Sequence, residues 1–146
     1  MSPADPAGYS GKPVWQKLGL QPALRVLVRG APAPYAHLVG ARDDDIRLVG
    51  HRAAFDLAHV FARTSAELKG AVKSLAKRLP ADGMLWVSWP KKASGVATDI
   101  REDTVRDIAL PLGLVDVKVC AIDATWSGLK LVWRRDVRAG KPAAGV

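Results

Sequence analysis

The chain has 146 residues, 49% apolar and 25% charged, with 22 Lys+Arg against 14 Asp+Glu for a net charge of +8. That length fits one domain, large enough to bury a core without metal or disulfide staples. The composition excludes a disordered chain, a collagen-like chain and a disulfide scaffold, and the single cysteine, Cys120, allows no intramolecular disulfide, as suits a reducing cytoplasm.

Residues 1–12, rich in Pro, Gly and Ala, are expected as a flexible lead-in, without the basic region and apolar stretch of a secretory signal. A short helix is predicted from Pro13, a good first-turn residue, to a stop at Gly19. Leu24 to Arg29 reads as the first strand, ending at Gly30, and a short helix from Pro34 to Val39 closes at Gly40. Ile46 to Val49 and Asp56 to Phe61 read as the second and third strands. The six residues between them are too few for a crossover helix. Either the second strand is a poorly formed edge, or a bare loop crosses the sheet.

Thr64-Ser65-Ala66-Glu67 is a capping-box sequence, and Leu68, Val72, Leu75 and Leu79 then recur on one face of a helix stopped by Pro80. Asp82-Gly83 turns the chain into a fourth strand, Met84 to Trp89, stopped by Pro90. Trp86 and Trp89 stand three apart on that strand, so they face opposite sides, each under its own helix layer. After a loop from Lys91 to Thr98, a helix is predicted to start at Asp99 to Glu102, with Val105, Ile108 and Leu112 inward and Gly113 past its end. Asp99, Glu102 and Asp103 suit the positive end of that helix. Val115 to Ala121 and Gly128 to Arg134 are too close for a parallel crossover and read as an antiparallel hairpin. Lys118 and Lys130 face each other across it as charged guards against edge pairing. Residues 136–146 are expected as a flexible basic tail, the stretch from Lys130 to Lys141 holding five basic residues and one acid, half of the net charge. The longest apolar runs are strand-length, so no membrane span is expected.

Strands alternating with helices make this an α/β chain. The expected architecture is a Rossmann-like three-layer sandwich over residues 13–135, with a mostly parallel sheet of about six strands and a C-terminal antiparallel hairpin.

Four stretches carry a closer likeness: Gly8-Tyr9-Ser10-Gly11-Lys12-Pro13, Asp82-Gly83-Met84-Leu85-Trp86-Val87-Ser88-Trp89-Pro90-Lys91-Lys92, Gly113 to Ala121, and Trp126-Ser127-Gly128-Leu129-Lys130. Through them residues 8–134 resemble a bacterial family described as a domain of unknown function. The order of elements is in turn similar to the Rossmann-like fold of S-adenosylmethionine-dependent methyltransferases, shortened by one strand–helix unit. That resemblance implies a cofactor site at the first turn, but fold alone does not imply function.

The implied site can be checked on residues. Such enzymes carry a G-x-G-x-G turn after the first strand, because glycine permits positive φ and lets a ligand approach the backbone. Here the turn reads Gly30-Ala31-Pro32-Ala33-Pro34, and proline fixes φ and offers no N–H. The acid that would take the ribose hydroxyls, at the end of the second strand, is also missing from Val49-Gly50-His51-Arg52. Phe61-Ala62-Arg63-Thr64 replaces the Asn-Pro-Pro-Tyr type of catalytic motif. Asp56, at a strand start, resembles an acid seen there in the fold but stands alone. No cofactor and no catalytic residue is therefore expected, with a methyltransferase using an unconventional pocket as the alternative.

Other chemistry finds little footing. Gly8 to Pro13 lacks the spacing of a phosphate loop. His37, His51 and His59 are not at metal-ligand spacing, so no metal site is expected, and His59 reads as a satisfied core or edge residue. Cys120 reads as a small buried side chain, and no Gly-x-Ser-x-Gly elbow supplies a nucleophile. The sharpest candidate is the loop after the fourth strand. Lys91, Lys92, Ser94 and Gly95 offer two ammonium groups, a hydroxyl and a flexible backbone at the C-terminal edge of the sheet, where open α/β folds place ligands. Trp126 and Ser127, in the hairpin connection, can close over the same edge. An anionic small molecule or acidic partner is the expected occupant. Lys69, Lys73 and Lys77, with Arg78 beside them, form a basic stripe that is either the wet side of a helix or a footprint for nucleic acid, without a motif for sequence-specific reading.

Overall fold

The computed structural model describes residues 11–142. The Gly8-Tyr9-Ser10 part of the first likeness, the lead-in up to residue 10 and the last four residues of the expected tail lie outside them. Strands β1 (Arg25–Arg29), β2 (Arg47–Val49), β3 (Leu57–Phe61), β4 (Met84–Pro90), β5 (Leu114–Ala121) and β6 (Trp126–Trp133) form one sheet in the order β2-β1-β3-β4-β6-β5. The first four are parallel, and β6 runs antiparallel to both β4 and β5. The chain thus has the Rossmann-like α/β architecture expected from its pattern.

Helices cover both faces. On one side α1 (Val14–Lys17) and α2 (Tyr35–Leu38) lead to Leu18, Leu20 and Tyr35, packed with Val26, Leu57, Trp86 and Trp126. On the other, α3 (Ser65–Ala76) and α4 (Glu102–Ala109) set Leu68, Val72, Leu75 and Val105 against Leu27, Val60, Val87, Trp89 and Leu131. The two-residue alternation of the strands divides the core in this way. Trp86 and Trp89 fall in different layers, and the Trp86 indole N–H donates to the Leu18 carbonyl at 2.9 Å.

Both options for the second strand hold together. β2 is a three-residue edge, and residues 50–56 cross the sheet as a bare loop. The crossing works because β2 is so short. Its last residue, Val49, pairs with Leu27, while the Asp56 N–H already reaches the Arg25 carbonyl at 2.9 Å. The chain climbs back only two residue levels, roughly 7 Å. Phe55 seals the loop into the α3 layer, with the Arg78 guanidinium 5.4 Å from its ring and donating to the Ala53 carbonyl.

Several local expectations change. The Thr64 hydroxyl oxygen accepts from the Glu67 N–H at 3.2 Å as a capping residue should, but the Glu67 carboxylate accepts from that hydroxyl instead of reaching back to the backbone. Asp99 does not open the following helix. α4 begins at Glu102, and Asp99 caps α3, accepting from the Ser65 N–H and hydroxyl, each at 2.7 Å. The preference of a carboxylate for a helix N-terminus was sound, but the helix is the other one, and those two bonds hold the Asp99 carboxyl below its usual range. Pro90 does not stop β4 but ends it from inside, paired with Trp126. Because β6 lies between β4 and β5, only Lys118 of the two guards is on an edge strand. Lys130, opposite Lys118, is half-buried, and burial followed by the Lys118 charge lowers its pKa.

The segment expected as a tail packs back as far as Pro142. Arg135–Arg138 form α5, Val137 joins the α3-side core, and the Lys141 ammonium lies 4.1 Å from the Trp133 ring centroid. The Pro142 carbonyl accepts from the Ala81 N–H at 2.7 Å.

Candidate functional site

The C-terminal ends of β1 and β3 meet the start of β6, and the side chains there close on each other. Gly30 ends β1 at φ +77°, so near β3 that a Cβ would stand 2.5 Å from the Phe61 carbonyl oxygen. Glycine is required here for chain against chain. Phe61 lies edge-on to Trp126 at 5.4 Å and to Tyr35 at 6.2 Å, and all three rings are buried. What remains above them is a notch of about 200 Å³, walled by Gly30, Pro32, Phe61 and Trp126 with Arg63 and Glu67 at its rim. At the end of β2 the residues are Gly50, His51 and Arg52, all exposed and none acidic.

Asp56 belongs to the opposite edge of the sheet. It precedes β3 and accepts from the Arg25 backbone N–H at 2.8 Å, from its Nε at 3.0 Å and from its Nη2 at 2.9 Å. The Arg25 guanidinium holds its carboxyl below the usual carboxylate range. These bonds pin β1 to β3 and leave no role at the ligand edge.

The loop after β4 is built from its own contacts. The Lys91 ammonium donates to the Asp123 carbonyl at 2.7 Å, and its backbone N–H donates to the Thr125 carbonyl at 2.7 Å. Lys91 is thereby tied to the hairpin connection before Trp126. The Ser94 hydroxyl donates to the Lys91 carbonyl at 2.6 Å and accepts from the Val96 N–H. Gly95 takes the left-handed conformation that closes this turn, at φ +78°. Lys92 is exposed. Trp126 lies in the core rather than over the edge, and Ser127 is half-buried in β6 opposite Trp89. The fold therefore joins the loop to the hairpin connection through Lys91, while Trp126 serves the floor of the notch.

One polar constellation was legible only in part. His59 on β3 is fully buried, its Nδ1 2.7 Å from the Tyr35 hydroxyl and its Nε2 2.7 Å from the Ser88 hydroxyl. A neutral imidazole has one N–H and one bare nitrogen, and a hydroxyl can donate or accept, so each nitrogen is satisfied in either tautomer. Burial pushes His59 down to about 3 and the Tyr35 phenol well above its ordinary value. The order Ser, His, Tyr imitates a nucleophile with its base and orienting group. Ser88 is fully buried, however, and His59 stacks on Phe61 at 4.3 Å, so the relay is sealed from substrate. It is the polar pin of the α1–α2 layer. Of the core and edge readings open for His59 the structure gives the core, and nothing in the spacing linked it to Tyr35, 24 positions earlier, or to Ser88, 29 later.

Cys120 is buried, and among the described residues no group of three His, Cys, Asp or Glu could hold a metal ion. No helix among them is long and apolar enough to cross a membrane.

No protein-family model matches the chain, and no curated protein matches it in sequence. Solved structures match it in fold. A Bacillus subtilis tRNA methyltransferase, TrmK, superposes with a TM-score of 0.53 at 9% identity, over 86% of this chain and 68% of that one. A protein of the NADB-Rossmann superfamily from Streptococcus agalactiae gives 0.52 at 9%, over 86% and 69%. The fibrillarin pre-rRNA processing protein of Methanococcus jannaschii gives 0.51 at 12%, over 87% and 71%. At such identities the likeness is one of fold: Rossmann-like, and distantly similar to methyltransferases that use S-adenosylmethionine.

Proposed function

We propose that this chain is a cytoplasmic Rossmann-like domain that has the methyltransferase type of fold, holds no adenosyl cofactor and acts by binding rather than catalysis. The observation that carries the reading is the first turn. Gly30 lies against the Phe61 carbonyl, and Phe61 and Trp126 floor a notch of about 200 Å³. Sites for small molecules and cofactors run to roughly 300–1,000 Å³. The prolines of the turn and the acid-free end of β2 support the same conclusion, since neither ribose nor main-chain recognition has a partner there.

The ligand suited to this edge is an anionic small molecule or the acidic group of a partner, taken at the loop of Lys91, Lys92, Ser94 and Gly95, where Lys92 offers the charge and Lys91 and Ser94 hold the loop in shape. Lys92 faces solvent beside a left-handed turn, and Lys91 couples the loop to the connection that leads into Trp126 and Ser127 at the start of β6. Calorimetric titration with S-adenosylmethionine is expected to give no binding heat; micromolar affinity would overturn the cofactor-free reading. In a separate titration with inorganic phosphate, followed by amide NMR, shifts are expected at residues 91–96 and are expected to shrink in Lys92→Ala. Unmoved amides there would remove the anion site.

A further inference from the structure

Lys69 and Lys73 do not merely decorate the wet side of α3. The fold sets them along one bank of a groove between α3 and α4, with a free volume of about 420 Å³. Thr104 and Asp107 form the other bank, and Ile108, Pro111 and Leu112 give the groove an apolar floor. Ile108 and Leu112 are half-buried and Pro111 is exposed, so this floor meets solvent. The N-terminus of α3 adds no anion site, because Asp99 already accepts from both the Ser65 N–H and its hydroxyl.

The chemistry of the two banks and the floor selects an occupant. A nucleic-acid backbone is bound through phosphates and gains nothing from an apolar floor, and it would bring those phosphates against Asp107. A helix with apolar side chains on one stripe and carboxylates beside it matches both features. From Ser65 to Lys73 the α3 bank runs nine residues, about 12 Å from first to last at the helical rise. Apolar anchors at i, i+3 or i+4, and i+7 of a docked helix span about 10 Å. Lys69 and Lys73 are four residues apart, the interval at which carboxylates recur on one side of a helix. We propose that the α3–α4 groove docks an acidic amphipathic helix of a partner protein. Its apolar stripe would lie on Ile108, Pro111 and Leu112, and its carboxylates would pair with Lys69 and Lys73. The proposal does not depend on the state of the notch at Gly30.

The probe is a synthetic fluorescein-labelled helical peptide with leucine at the anchor positions, glutamate on the flank that meets Lys69 and Lys73 and neutral residues on the flank that meets Asp107, titrated into the full chain by anisotropy and amide NMR. Shifts are expected to cluster at residues 65–73 and 104–112. The exposed double substitution Lys69→Glu/Lys73→Glu is expected to weaken binding about tenfold or more, as charge reversal at a complementary surface does. Pro111→Glu, which puts a like charge on the floor, is expected to weaken it as well. Absence of shifts in these segments, equal binding of a peptide with lysine in place of glutamate, or indifference to the Lys69/Lys73 reversal would each overturn the proposal. So would duplex DNA that binds the stripe more tightly than the peptide and is unaffected by Pro111→Glu.

Discussion

Acidification from pH 7 to pH 4 is expected to cost the fold about 3 kcal/mol through His59 alone. The sign follows from where the proton goes. His59 has an ordinary value of 6.5 and a folded one of about 3, because burial disfavours the imidazolium. Between those values the unfolded chain binds the extra proton and the folded chain does not. The stability is therefore whole above pH 6.5 and falls as the pH drops toward 3, by up to about 1.4 kcal/mol per unit. Tyr35 and Ser88 give the ring hydrogen bonds but no negative charge, and Phe61 and Trp86 supply rings. Asp56 and Asp99 add acid sensitivity of the same sign, since their carboxyls are held low in the fold. The variant His59→Gln separates the contributions. Denaturant midpoints measured from neutral pH to pH 4 should fall steeply for the parent and much less for the variant. If the two slopes coincide, the ring at position 59 is not the acid-sensitive element.

How far the sequence could be read depends on the range of the interaction. Periodic signals worked where one element decides its own structure: the apolar face of α3 after Thr64, and the opposite facing of Trp86 and Trp89. The absence of a carboxylate after β2 and the prolines after Gly30 were local facts too, and the structure adds the closure against Phe61. What failed was pairing over distance. Asp99 could be recognised as a helix-capping acid, but which N-terminus it would meet depends on how the loop from Lys91 folds back on α3. The tail from residue 136 looked mobile by composition, and its docking rests on Val137 and Lys141 reaching Trp133, a contact that no local pattern encodes. At the loop after β4, the type and place of Lys91 and Ser94 were visible in the sequence, whereas their bonds to Asp123 and to each other, which shape the loop around Lys92, were not. The α3–α4 groove was half visible in the same sense: its lysines stood out as a stripe, but its floor comes from a helix some forty residues away.

Gly30→Ala is expected to destabilise the domain by about 2–4 kcal/mol, against about 1 kcal/mol for Gly40→Ala. Both glycines have positive φ, +77° and +69°, so both substitutions carry the strain of an L-residue in the left-handed region. Only at Gly30 does the new methyl meet something. The Phe61 carbonyl oxygen would stand 2.5 Å away, and it is main chain of a central strand, while nothing lies within 4 Å at Gly40. Relief requires β1 to part from β3 at the edge where their ladder ends, Arg29 against Val60. The difference between the two variants, read from urea midpoints at neutral pH, measures how firmly that end of the sheet is shut. A cofactor-binding turn would keep its glycine for the approach of a ligand and would yield when the ligand is missing. A large difference places the constraint within the protein itself, against Phe61. Equal losses would mean that the turn swings clear of β3 at little cost, and a niche able to open that easily would return the adenosyl cofactor to contention.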